Sequence, residues 1–254
     1  MNCLRLILII LFLLASGIVS ADVTREEQRI LLIGNSYIFT NDMPSMLAHL
    51  LNNARSGVYQ YKIDKITKGG AHLSDHIKSG AVDKALGETS YSRIFFQEYS
   101  TAAFYADETS ESVATMKKIK NKILTRGGLP IVVSTWPRKA GHEFYSRKSK
   151  PGFAAVTNPA AMANRLHRFY SGQSTKLKID FLPLGEYWHY AMVNYPEIDL
   201  YQDDGSHPSL EGSYLYALLM YRKISGRLPM KDIWSPEGIS RNEKNILIHI
   251  ASRG

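Results

Sequence analysis

Short apolar runs alternate along the chain with longer segments of helical period. Arg29 to Gly34 (RILLIG) is continuous, of strand length, and reads as a buried strand. Tyr59 to Thr67 alternates like a second strand. Arg93 to Gln97 (RIFFQ), Pro130 to Thr135 (PIVVST) and Ile179 to Leu184 predict a third, fourth and fifth. Helical stretches lie between them. Met43 to Asn53 follows Asp42 and tolerates Pro44 in its first turn. Ser110 to Leu124 is closed by Arg126-Gly127-Gly128. Pro159 to Tyr170 is helical, and Pro208 to Ile224 is a long helix with Pro208 at its first position and Gly226 at its end. Pro236 to Ser252 predicts a last helix.

Strand followed by helix, about five times over, predicts an α/β fold: a three-layer α/β/α sandwich on a mainly parallel five-stranded sheet. The segments between strands are long enough for parallel crossovers. In such sheets ligands bind beyond the carboxyl ends of the strands, so candidate chemistry is sought there.

The first 21 residues differ from the rest. A short region with Arg5 precedes the uncharged apolar run Leu6 to Val19, and Val19-Ser20-Ala21 supplies small residues for cleavage after Ala21. Residues 1–21 therefore read as a signal peptide, and 22–254 as one domain. Cys3, the only cysteine, falls in that leader, so the mature chain would have no thiol, disulfide or cysteine metal site. Export to the periplasm or the medium is expected. With 44% hydrophobic and 21% charged residues, the composition is globular. The net charge is +8 and the pI about 9.4. Positive residues are densest from Arg138 to Lys150, but no nucleic-acid motif accompanies them. Nucleic acid is thus not expected as a partner, while contact with an anionic envelope polymer is compatible with the charge.

The first strand ends in Gly34-Asn35-Ser36. The glycine allows a sharp turn, leaving the serine hydroxyl at the sheet's carboxyl edge. Alone, such a serine more often caps a helix or fills a turn than reacts. Near the other end, Asp204-Gly205-Ser206-His207-Pro208 precedes the long helix. Alone, it too is a turn with a cap. As a set these residues have a chemistry. A hydroxyl becomes nucleophilic when a base takes its proton, histidine is suited to that, and a carboxylate fixes the imidazole tautomer.

In order, separation and context, GNSY after the first strand and DGSHPS before the last long helix resemble the first and last blocks of the SGNH hydrolases, also called GDSL esterases. The resemblance runs from about Ile30 to Leu219. It implies the flavodoxin-like SGNH-hydrolase fold, Ser36 as nucleophile, and Asp204 and His207 as its triad partners. In the family the oxyanion is held by the nucleophile's N–H, a glycine N–H after the second strand and an Asn side chain after the third. Here those map to Ser36, Gly70 and, in place of Asn, Gln97. Some carbohydrate O-acetylesterases of this fold have Gln there. The family's Gly-x-Asn-Asp block is replaced by Phe96-Gln97-Glu98, and Asn35 stands for the usual Asp. The implied activity is hydrolysis of short acyl esters, O-acetyl groups on a carbohydrate above all, with no metal or organic cofactor. The substrate would be a small-molecule or polysaccharide ester. A lipase or lysophospholipase, an envelope O-acyltransferase and a non-catalytic carbohydrate-binding protein remain alternatives.

Trp136 and Arg138 follow the fourth strand and are candidates for the substrate cleft, with the loop to about Thr157 as its wall. His72 and His76 lack the third ligand and the Glu that zinc motifs carry, and read as solvated or capping residues. Asp203 has the wrong spacing from His207 for the family's acid. His189, in an aromatic run, reads as packing, and Glu98 as a supporting residue or a loop charge.

Overall fold

The computed structural model describes residues 25–53, 58–106, 110–148 and 154–253. The expected signal peptide and Cys3 lie outside them, as does part of the 136–157 loop. Strands β1 (Glu26–Gly34), β2 (Tyr59–Thr67), β3 (Arg93–Phe96), β4 (Leu129–Val133) and β5 (Asp180–Leu182) form one sheet. Its order is β2-β1-β3-β4-β5, and every pairing is parallel. The chain leaves β1 toward β2 on one side and returns to β3 on the other. The carboxyl ends of β1 and β3 therefore flank the switch point where such sheets bind ligands.

Side chains alternate across the sheet. Ile30, Leu32, Phe95, Val133 and Leu182 enter one core, and Leu31, Ile33, Ile94, Phe96 and Val132 the other. Helices α1 (Ser36–Phe39), α2 (Met43–Asn52), α7 (Leu184–Asn194), α8 (Leu210–Ser225) and α9 (Arg241–Ala251) cover the first core. Helices α3 (Leu73–Lys78), α4 (Ala81–Glu88), α5 (Glu111–Thr125) and α6 (Pro159–Leu177) cover the second. Both sheet faces are covered, which is why the strands read as continuous apolar runs. Every residue of α8 from Gly212 to Tyr221 is buried, so this helix is the center of its layer. Gly212 allows the approach: a Cβ there would lie 2.4 Å from the Leu200 carbonyl oxygen and 2.6 Å from the Trp188 ring.

Several boundaries differ from the expected ones. The α8 helix starts at Leu210, not at Pro208. Ser209 is its N-cap, with Oγ accepting from the Gly212 N–H at 3.0 Å. Pro208 instead bridges to Tyr201. A hydroxyl cap satisfies a helix N–H, which a proline at the first position only avoids needing. The α9 helix begins at Arg241, where Ser240 and Glu243 form a capping box, so Pro236 to Ser240 is not helical. The α6 helix runs seven residues past Tyr170, to Leu177. Helices α3, α4 and α7 had no expected counterpart. The first two are only six and eight residues long, and α7 begins two residues after β5 ends.

Gly212→Ala should lower unfolding stability by about 1–3 kcal/mol through overpacking. Gly172→Ala, inside α6 with nothing within 4 Å of the added Cβ, should raise it by roughly 0.5–1 kcal/mol. Denaturant unfolding of both variants checks the pair.

Candidate active site

The turn after β1 is tight. A Cβ on Gly34 would sit 2.7 Å from Ile38 Cδ1 and 3.1 Å from the Gln97 carbonyl oxygen. Asn35 is buried and caps α1. Its Oδ1 accepts from the Tyr37 N–H at 3.2 Å, and its Nδ2 donates to the Ala71 carbonyl at 3.3 Å. An ionised aspartate could accept the first bond but could not donate the second. The asparagine thus ties the nucleophile turn to the loop after β2. Ser36 opens α1, so its N–H has no partner inside the helix.

The loop Lys68-Gly69-Gly70-Ala71 is held from three sides. Besides Asn35, the buried His76 donates its Nε2–H to the Gly34 carbonyl at 2.7 Å. The fully buried Glu98 accepts from the Leu73 N–H at 3.2 Å and the Tyr99 N–H at 2.7 Å, with His72 Nδ1 3.3 Å away. Gly70 has φ +69°, a left-handed conformation that favours glycine. Among the described residues no backbone carbonyl takes its N–H. His76 is therefore a buried structural tie and not a solvated residue, and Glu98 acts as a supporting residue; the partners that tie the loop, Gly34 and Leu73, are distant backbone groups. His72 is the N-cap of α3 and shares a capping box with Asp75.

The loop before α8 is built around one carboxylate. Asp204 Oδ1 accepts from the backbone N–H groups of Ser206 and His207, each at 2.9 Å. Its Oδ2 accepts from His207 Nδ1 at 2.5 Å. Gly205, at φ +62°, makes the turn. A carboxylate can only accept, so Nδ1 carries the proton and Nε2 of the neutral ring is an acceptor. Ser36 Oγ lies 2.9 Å from that Nε2 and can donate to it, across 171 residues of chain. Burial pushes the Asp204 carboxyl up, but the bonds from the His207 ring and from the two N–H groups outweigh it and hold the group below the ordinary carboxylate pKa. Asp203 is exposed and has no part in this array.

No family model matches the chain, and no curated protein does. Solved structures do. A DUF4886 family protein from Bacteroides uniformis superposes with TM-score 0.72 at 19% identity, over 89% of this chain and 94% of that one. A candidate SGNH hydrolase from Slackia heliotrinireducens gives TM-score 0.64 at 24% identity, over 78% of this chain and 100% of that one. A variant of Axe2, an acetyl xylan esterase from Geobacillus stearothermophilus, gives 0.60 at 10% identity, over 82% and 99%. The chain has the SGNH-hydrolase fold.

Within that fold, a buried network joins the serine turn to the histidine loop. The Tyr37 hydroxyl lies 2.8 Å from Ser206 Oγ and accepts from Arg138 Nη1 at 2.5 Å. Arg138 Nη2 donates to Ser100 Oγ at 2.9 Å. The Tyr37 ring stacks on Trp136 at 4.2 Å, and Trp136 on Trp188 at 4.1 Å. Trp136 Nε1 donates to the Ser206 carbonyl at 3.1 Å. Trp136, expected in the substrate cleft, is thus corrected to a core residue: it is 0% exposed, because its indole is sandwiched between two rings. Arg138 lines two clefts beside His207.

Gln97 lies beside Gly34 at the switch point, 1% exposed, and neither of its amide atoms has a partner among the described residues. His189 sits on α7, half-buried, and burial lowers its pKa.

Two clefts adjoin His207, and the smaller of them also reaches Ser36. One, of about 330 Å³, is lined by Ser36, Gly69, Gly70, Tyr99, Ser100 and His207 among others. The second, of about 790 Å³, is lined by Tyr99, Tyr105, His142, Phe144, Asp204 and His207 among others. Arg138, Tyr99, Ser206 and His207 border both. The His207 and Asp204 side chains are 34% and 47% exposed, so water reaches the array.

Tyr37→Phe removes the one oxygen shared by Arg138 and Ser206. It should cost about 1–3 kcal/mol of stability, read by denaturant unfolding. The lowered Asp204 pKa has a definite sign. Its stabilisation is present above the unfolded carboxylate value of about 3.9 and is lost as pH falls through the lower folded value. Asp204→Asn should therefore unfold with a shallower pH dependence in that acid range.

Proposed function

We propose that the protein is a serine esterase that hydrolyses short acyl esters, O-acetyl groups on a carbohydrate in particular. One observation carries the reading: the continuous chain from Ser36 Oγ through the His207 ring to Asp204, with links of 2.9 and 2.5 Å. Ser36 attacks the ester carbonyl carbon while His207 Nε2 takes its proton. Asp204 holds the ring and stabilises the imidazolium. The N–H groups of Ser36 and Gly70 and the Gln97 amide hold the oxyanion. His207 returns the proton to the leaving alcohol, then deprotonates the water that cleaves the acyl-enzyme. The amide of Gln97 has no partner among the described residues, and a buried amide without one calls for a functional or structural reason. It is 1% exposed and lines neither cleft, so to donate to the oxyanion it must turn toward Ser36. No step requires a metal or an organic cofactor.

The acyl side of the site favours small groups. Among the described residues, Tyr37 and Tyr99 are the apolar rings at the 330 Å³ cleft beside Ser36 and Gly70, and no aliphatic residue lines it, whereas a long acyl chain needs extended apolar walls. The aromatic rings of the second cleft suit a sugar. The leader pattern of residues 1–21 supports export and a substrate in the envelope or the medium.

Purified mature protein should turn over p-nitrophenyl acetate in preference to the octanoate. Ser36→Ala should lose that turnover by on the order of 10⁴–10⁶-fold, and Asp204→Asn by on the order of 10⁴-fold. A folded wild-type protein inactive on both esters would remove the esterase reading. Gln97→Leu should lower kcat by roughly 10²–10³-fold as a lost oxyanion donor. A more stable variant with unchanged kcat would instead make Gln97 a buried orphan amide.

A further inference from the structure

Arg138 is a buried charge without a counter-ion. It is 9% exposed, and its two bonded partners, Tyr37 and Ser100, are neutral hydroxyls. Among the described residues no carboxylate lies within 4 Å of it. Hydrogen bonds to neutral groups orient a guanidinium but do not neutralise it, and buried charges are ordinarily paired. Among the described residues no acid pairs with it. Asp204 serves His207 and two backbone N–H groups. Glu143 pairs with Arg147. Glu98 Oε1 serves Leu73, Tyr99 and His72, and its Oε2 has no hydrogen-bond partner among the described residues, Arg138 included.

The place of this charge matters as much as its isolation. Arg138 borders both clefts, as does His207, which must hand a proton to the leaving alcohol. The larger cleft adds Tyr99, Tyr105 and Phe144, rings of the kind on which sugars stack. Burial and then the Arg138 charge hold the His142 pKa below the ordinary histidine value. A guanidinium binds carboxylates and tetrahedral oxyanions in preference to neutral groups.

We propose that the alcohol carrying the ester is an anionic sugar, and that Arg138 receives its carboxylate or sulfate. This rests on the esterase reading for its biological meaning, but the binding claim stands apart from turnover.

The test is calorimetric titration of the Ser36→Ala protein with sodium glucuronate, glucose 6-sulfate and glucose. At least one anionic sugar should bind on the order of 10–100-fold tighter than glucose, and the tighter of the two names the group. Arg138→Gln in the same background should bring that ratio near one, and Arg138→Lys should keep part of it. Anionic sugars that bind no tighter than glucose would overturn the proposal without any Arg138 variant, so a variant that fails to fold does not protect it. A ratio that survives Arg138→Gln would overturn it equally. Loss of p-nitrophenyl acetate turnover in the wild type, by contrast, would strike the esterase reading and leave this binding result intact.

Discussion

A serine and a histidine 171 residues apart meet at 2.9 Å because a single buried hydroxyl stands between the segments that carry them. Tyr37 follows the serine directly, and its oxygen bonds to Ser206, which precedes the histidine directly. The ring beneath that oxygen is clamped in the Tyr37-Trp136-Trp188 stack, and Trp136 bonds to the backbone of Ser206 as well. Stacking orients the ring and the hydroxyl fixes the distance, so a small displacement of either loop breaks several contacts at once. Positioning of this kind is where much of a catalytic rate enhancement originates.

The same principle governs the glycine loop after β2. Glycines allow Gly70 its left-handed turn, but they leave the loop without side chains to anchor it. Asn35, His76 and Glu98 supply the anchoring from outside, through backbone atoms of Gly34, Ala71 and Leu73. Donors held ready before a reaction need no reorganisation during it. A buried acid and a buried imidazole are expensive ties, and their use here indicates how closely the loop is held to the serine turn.

Arg138 connects the two roles. Its guanidinium closes the network from Ser100 to Tyr37, and it leaves an uncompensated charge at the border of both clefts. Functional sites commonly keep local arrangements that a purely stable fold would avoid. The orphan amide of Gln97 at the switch point is a second such arrangement.

Some of this was legible in the chain itself. Apolar runs such as RILLIG and RIFFQ predicted the strands, because a strand covered on both faces needs apolar residues throughout. Spacing alone put Asp204 and His207 within reach of each other, since that pair is closed by a local turn. Ser36 was recognisable only together with the distant Asp204-His207 pair, through the resemblance of GNSY and DGSHPS to the SGNH-hydrolase blocks. Tertiary structure decided what local pattern could not encode. The α8 helix begins at Leu210 because Ser209 caps it, while Pro208 joins a bridge to Tyr201. Trp136 lies in the core because two distant rings enclose it. His76 and Glu98 acquire their roles from backbone groups 42 and 25 residues away. Sequence period records which face of an element is buried; which distant atom meets a given side chain is set only when the elements pack.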